Sequence, residues 1–151
     1  MRARDLAESA AVLRPQDSAA DALARFAFSA QPGILVDVGH GGYIAVPGSQ
    51  LLRLLLPAYV LDDPSLGRVW DEAHADRLAQ DLPGRTVQDL LTQMQDERDD
   101  DRPPAVVDGD ATLVEVAAVM ATAHAPLVAV VDDGRLLGAV TVNRLVSRLL
   151  A

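Results

Sequence analysis

The sequence offers few side chains able to do chemistry, and they fall in clusters. Asp71-Glu72-Ala73-His74, with Asp76 just beyond, would set carboxylates and an imidazole at helical spacing, a pattern able to ligate a metal and one that also spells a helicase-like acidic box. A nucleoside triphosphatase further needs a glycine-rich, lysine-containing phosphate loop, which the sequence lacks, so these residues read as a solvated helix face. Gly39-His40-Gly41-Gly42 has the glycine content to cradle a phosphate, but lies between two β-rich runs and reads as a flexible hairpin. The acidic stretch from Asp96 to Asp101 could attract Mg²⁺, yet its density of charge reads as a solvated loop. No Ser-His-Asp set or pair of carboxylates stands out, and there is no cysteine to supply a thiolate. The chain is therefore expected not to be an enzyme.

Composition narrows the remaining classes. The 151 residues carry a net charge of −9, which repels phosphate backbones and anionic membranes in the absence of a basic patch. Half the residues are hydrophobic but only 3% are aromatic, so the core must be built from Ala, Val and Leu, and no platform for stacking bases is expected. The first residues lack a signal-type apolar run, and the apolar stretch Leu51 to Val60 is broken by Arg53 and Pro57 well short of a membrane span. These features predict a cytoplasmic protein with no nucleic-acid partner and no membrane insertion.

The residues that could form a site must be held by a fold, and the fold announces itself as an internal repeat. Ala11–Leu56 slides onto Ala105–Leu150 at a constant offset of 94 without a gap. Identities include Ala24/Ala118, Pro32/Pro126, Val36/Val130, Ala45/Ala139, Val46/Val140, Leu51/Leu145 and Leu55/Leu149. Ser18-x-x-Asp21 and Thr112-x-x-Glu115 fall at the same offset, and both match the hydroxyl-then-acid pattern that caps a helix.

Each repeat then predicts the order strand, helix, strand, strand, helix. The helices are placed at about Ser18–Ala30 and Thr112–Ala123, and the hairpin strands at Ile34–Val38 with Tyr43–Val46, and Leu127–Val131 with Leu136–Thr141. Closing helices are expected at Gly48–Leu56 and Asn143–Leu150, and leading helical pieces at Arg4-Asp5-Leu6 and at Val87 to Leu91. Residues 62–82 read as a connecting helix with Leu66, Val69, Trp70, Ala73 and Leu78 on its packed side, and residues 95–104 as a solvated loop. The expected division is 1–57 for the first repeat, 58–84 for a helical connector and 85–151 for the second repeat, together one module.

Thr112-Leu113-Val114-Glu115-Val116-Ala117, then Pro126 to Asp132, then Gly134 to Thr141 resembles a CBS (cystathionine-β-synthase-like) repeat. The first repeat matches less fully, with Ile44 where the second has Gly138. The resemblance implies an α/β (α+β) fold of two pseudo-symmetric repeats, each a small sheet packed with two helices, joined by a connecting helical segment. It also implies pairing into homodimers, and clefts between the repeats that bind adenosine nucleotides.

The family's nucleotide signature is a Thr or Ser at the end of the last strand and an Asp three residues later. Here Thr141 is followed by Asn143 and Arg144, and the first repeat has Pro47 and Gln50 at the corresponding positions. An arginine has donors only, so it cannot hold a ribose edge as a carboxylate does, but favours an anionic group such as a phosphate. On that reading Arg144→Asp would restore the acceptor. The resemblance places a cleft at Thr141, Asn143, Arg144, His124 and Pro126, with Val107 and Asp108 from the second repeat and Gln50, Ser49 and Pro32 from the first. It implies no required cofactor, AMP, ADP, ATP or a related adenosine compound as ligand, and a separate effector, an enzyme or a transporter, as the regulated partner. The alternative is an interaction module with degenerate clefts, whose Leu-rich helices, Leu51 to Leu56 above all, mediate dimerisation.

Overall fold

The computed structural model describes residues 1–97 and 104–151. In chain order the elements are α1 (Ala3–Leu6), β1 (Val12–Leu13), α2 (Ala19–Ser29), β2 (Gly33–Gly39), β3 (Gly42–Pro47), α3 (Gly48–Leu51), α4 (Ala58–Asp62), α5 (Glu72–Asp76), α6 (Val87–Glu97), β4 (Val106–Asp108), α7 (Leu113–Ala123), β5 (Leu127–Asp132), β6 (Arg135–Thr141) and α8 (Val142–Leu150). The repeat is plain at every level. Ser18 Oγ accepts the Asp21 amide and Thr112 Oγ1 the Glu115 amide, each at 3.1 Å, so α2 and α7 start on the expected caps. Both helices end on a left-handed residue, Ala30 (φ 55°) and His124 (φ 52°), also 94 apart.

Two three-stranded sheets result, ordered β1-β2-β3 and β4-β5-β6, each with a parallel first pair and an antiparallel hairpin. Alternation along each strand separates two buried faces. Leu35 and Ala45, opposite each other in register, join Leu127, Ala129 and Ala139 where the sheets meet, and small side chains there let the backbones approach. Ile34, Val36 and Val46 point the other way, onto Leu13, Ala22 and Leu51.

The leading helices cross over. Ala3 and Leu6 of α1 are buried in the core of the second repeat, and Val87, Leu90 and Met94 of α6 in that of the first. The crossed docking repeats bond for bond. The Ala3 and Arg4 amides donate to the carbonyls of Ala111 and Gly109 (2.9 and 3.1 Å), and those of Val87 and Gln88 to Asp17 and Pro15 (2.9 and 2.8 Å). Each repeat therefore completes its core with a segment that precedes the other.

Three expectations are corrected. The closing helix of the first repeat is one α-turn followed by a 3₁₀ turn over Leu52–Leu54, because Pro57 disfavours helix in the residue before it. The connector is helical but broken into short pieces, since Asp63 with Pro64, and then Asp71, each cap a new turn. Of its expected packed side Leu66, Val69 and Ala73 are exposed, Val69 to 81%, Trp70 and Leu78 are half-buried, and Leu82 at its end is buried. The loop expected from Gln95 instead begins as helix, because α6 continues to Glu97 beyond its anchor Met94, while residues 98–103 of that loop lie outside the described residues.

Candidate functional site

The site grows from the junction of β6 and α8. Thr141 ends the strand and caps the helix, its Oγ1 accepting the Arg144 amide at 3.3 Å. The next amide, Val142 N, donates to the Pro126 carbonyl at 3.1 Å, and its first-repeat counterpart, Gly48 N, to Pro32 at 2.9 Å. Each proline thus fixes where a closing helix begins. Before α8 lies an open cleft of about 1040 Å³, walled by Thr141, Asn143, Arg144, Ser147 and Arg148 on one side. Pro126 and the Ala30-Gln31-Pro32 corner form a second wall, and the N-terminal strap contributes Met1, Asp5, Leu6 and Glu8.

The polar groups of the cleft are largely paired with the strap. Arg144 Nη1 meets Glu8 Oε1 at 2.8 Å, and its Nε donates to the Leu6 carbonyl at 3.0 Å, with both charged side chains a little over two-fifths exposed. Arg148 Nε lies 3.1 Å from Met1 Sδ, a weak acceptor that leaves its charge in place. Gln31 Nε2 donates to Ser9 O at 3.4 Å, while its Oε1 is buried with no partner among the described residues.

The strap is itself fastened at both ends of its short helix. Arg4 pairs with Asp110 at 2.6 Å and Asp132 at 3.3 Å, and the Asp110 carboxylate, with Asp132 behind it, raises the guanidinium pKa above its ordinary value. Downstream, Glu8 lies against Gly138, where an added Cβ would come within 2.4 Å of the Glu8 carbonyl oxygen. This contact accounts for the glycine. In the first repeat α6 continues as a helix, and Ile44 stands at the equivalent place, packed on the core.

Of the residues expected at a cleft, the structure brings together Thr141, Asn143, Arg144, Pro126 and Pro32. The other five do not line this cleft. His124 is the exposed left-handed cap of α7, Val107 is buried in the second core, and Asp108 Oδ1 accepts the Asp110 amide at 2.8 Å. Ser49 and Gln50 sit on α3, with Gln50 Oε1 accepting from Arg53 Nε at 2.7 Å. The start of α3 is covered by an aromatic ring: a Cβ on Gly48 would fall 2.4 Å from Phe26 Cζ. With Pro47 in place of a hydroxyl as well, the two helix starts are chemically unequal, and the cationic one is α8.

Reasoning from sequence missed Glu8, Asp5, Gln31 and Arg148. Arg148 was accessible from its spacing of four after Arg144, which sets both on one side of α8. Two of the motifs that suggested other chemistry are used structurally, while the acidic stretch from Asp96 to Asp101 lies mostly outside the described residues. Asp71 caps α5, accepting the His74 amide at 2.9 Å, and Gly39, His40 and Gly41 take the positive φ values of a hairpin turn. Among the described residues no three His, Cys, Asp or Glu gather as a metal site, and no helix is long and apolar enough to cross a membrane.

A family model described as the CBS domain matches residues 87–151. The chain is similar to a CBS-domain-containing protein of unknown function from Kribbella flavida, 38% identical over 100% of this chain and 99% of that one, with a TM-score of 0.78. The CBS domain of a membrane protein from Sphaerobacter thermophilus shares the fold at 17% identity and TM-score 0.66, over 97% of this chain and 86% of its own. CBSX2, a CBS-pair protein of Arabidopsis thaliana whose structure is known in complex with AMP, shares it at 22% identity and TM-score 0.60, over 99% and 96%. No curated protein matches the chain.

Proposed function

The chain belongs to the CBS-domain family as a tandem pair of repeats, and on that premise we propose that it is a cytoplasmic regulatory module that senses an anionic small molecule, an adenosine phosphate such as AMP, ADP or ATP, in the cleft before α8. The observation that carries the reading is the cleft itself. It is large enough for a nucleotide and sets Thr141, Arg144, Arg148 and the start of α8 on one wall. Positive side chains and a helix N-terminus together favour a phosphate. The AMP bound to CBSX2 supports the adenosine class. Among the described residues that line the cleft none is an activated nucleophile, and the reading assigns binding and no turnover.

Such a ligand regulates by binding one arrangement of the two repeats better than another, and so biases a separate effector, an enzyme or a transporter, that distinguishes them. Calorimetric titration of adenosine, AMP, ADP and ATP tests the reading. The expected result is saturable binding of at least one phosphate ester, weakened by Arg148→Ala and by Thr141→Val. Absence of binding by all four would overturn it.

A second reading, an interaction module that works as a homodimer, is favoured by one observation. Val142, Val146, Leu149 and Leu150 form a stripe along α8 and are 42%, 45%, 49% and 82% exposed. The leucines of the first repeat supply less, since Leu51 and Leu54 are buried and Leu52 is the one that stands out at 51%. Sedimentation as a 16.0 kDa monomer at micromolar concentration would remove this reading and leave the first intact.

A further inference from the structure

The cleft already contains an anion. Glu8 projects from the strap to Arg144 Nη1, and, among the described residues, Arg144 is the partner of its carboxylate. The Glu8 backbone is fixed by two hydrogen bonds with Ala139, whereas its side chain is about two-fifths exposed and attached by that one ion pair. Arg144 is held independently, through Nε on the Leu6 carbonyl, so its guanidinium stays oriented when the carboxylate leaves. With Glu8 in place, the two cleft arginines are balanced by Asp5 and Glu8; without it, the wall carries a net positive charge.

We propose that Glu8 is a tethered competitor for the anion site at Arg144: it occupies the arginine until a phosphate-bearing ligand displaces it, so that the cleft selects ligands by charge. The inference rests on the reading that the cleft takes an anionic ligand. A carboxylate carries one negative charge and a doubly ionised phosphate two, and Arg148 stands one turn beyond Arg144 on the same wall. A doubly charged group therefore outcompetes Glu8 by engaging both arginines. A neutral nucleoside gains nothing from displacing it.

The test titrates inorganic pyrophosphate, AMP and adenosine at low salt into the natural protein, Glu8→Gln, Glu8→Ala, and Glu8→Gln combined with Arg144→Gln. Both Glu8 variants keep the backbone pairing with Ala139, and agreement between them separates loss of the charge from a change of shape. The expected result is a gain of roughly fivefold in affinity for pyrophosphate and AMP, the scale of one half-exposed ion pair, none for adenosine, and loss of the gain in the double variant. Pyrophosphate tightening without any AMP binding keeps the competitor and removes the nucleotide. Equal AMP affinity in all Glu8 backgrounds keeps the nucleotide reading and overturns the competitor. Absence of anion binding even in Glu8→Gln and Glu8→Ala overturns both, because Arg144 is then free and still takes no anion.

Discussion

Glu8 and Ala139 exchange both backbone hydrogen bonds, Glu8 N donating to Ala139 O at 2.9 Å and Ala139 N to Glu8 O at 2.8 Å. The strap is thereby an added rung on the edge of the second sheet, and its closeness depends on Gly138, which has φ 149° and no side chain to hold the strap away.

Gly138→Ala is expected to destabilise the protein by about 2–3 kcal/mol, since the new Cβ must either force the backbone or push Glu8 off the sheet. Urea unfolding gives the magnitude. Loss of hydrogen-exchange protection at the Glu8 and Ala139 amides would show that the strap is what moves, and an unchanged midpoint would refute the account.

Arg144→Asp, the change that sequence alone suggested as restoring a ribose acceptor, sets a second carboxylate against Glu8 and removes the donor to the Leu6 carbonyl. The expected outcome is a loss of about 1 kcal/mol, kept small by solvent screening of a half-exposed pair, and no gain in AMP affinity. Combining it with Glu8→Arg recovers part of the loss, and a double-mutant cycle on thermal unfolding measures the coupling.

Leu90→Ala tests the crossed docking. Leu90 is fully buried among first-repeat residues although it lies in the sequence beside the second repeat. A loss of about 2–5 kcal/mol is expected, and amides of β2 and β3 should exchange faster at low denaturant before those of β5 and β6. The opposite order would contradict the crossing.

Asp71 supplies a local pH dependence. The His74 amide, then the His74 ring at 2.6 Å, hold its carboxyl below the ordinary value of 3.8. Because the folded value is the depressed one, the cap on α5 is complete above 3.8 and is lost as pH falls through the folded value. An NMR titration should find the Asp71 midpoint below 3.8, and Asp71→Asn should keep the first turn of α5 while removing its acid sensitivity. A midpoint at or above 3.8 would mean that the cap does not form in solution.

The parts of the fold that repeat were legible because they recur in side chains. The caps at Ser18 and Thr112, the prolines at 32 and 126, and the strand pairs around Leu35 and Ala129 are each marked by residue type at a fixed offset. The α8 wall of the cleft was legible through the resemblance to the CBS signature instead, since Thr141 and Arg144 do not recur in the first repeat, which has Pro47 and Gln50 there. The strap was not, because Glu8 meets Ala139 through backbone atoms, which leave no signature in Glu8 itself. Its trace in the sequence is negative: a glycine at 138, inside a strand, where the other repeat has Ile44. The connector misled because Leu66 and Val69 suit a buried helix side, while Pro64 and the capping Asp71 break the helix that would have presented one.

The crossing of the leading helices has a consequence for how the chain comes together during synthesis. The strands β1, β2 and β3 and the helix α3 are all made by Leu51, yet the core they form lacks Val87, Leu90 and Met94 until much later. Ala3 and Leu6 of α1, made before β1, find their seat only when β6 has been made. Folding is thus deferred to contacts of long sequence separation, the slow kind, and a half translated alone would be left with an open apolar notch. Separately expressed halves cut within 58–84 should accordingly be poorly ordered apart and fold on mixing, each carrying the plug for the other.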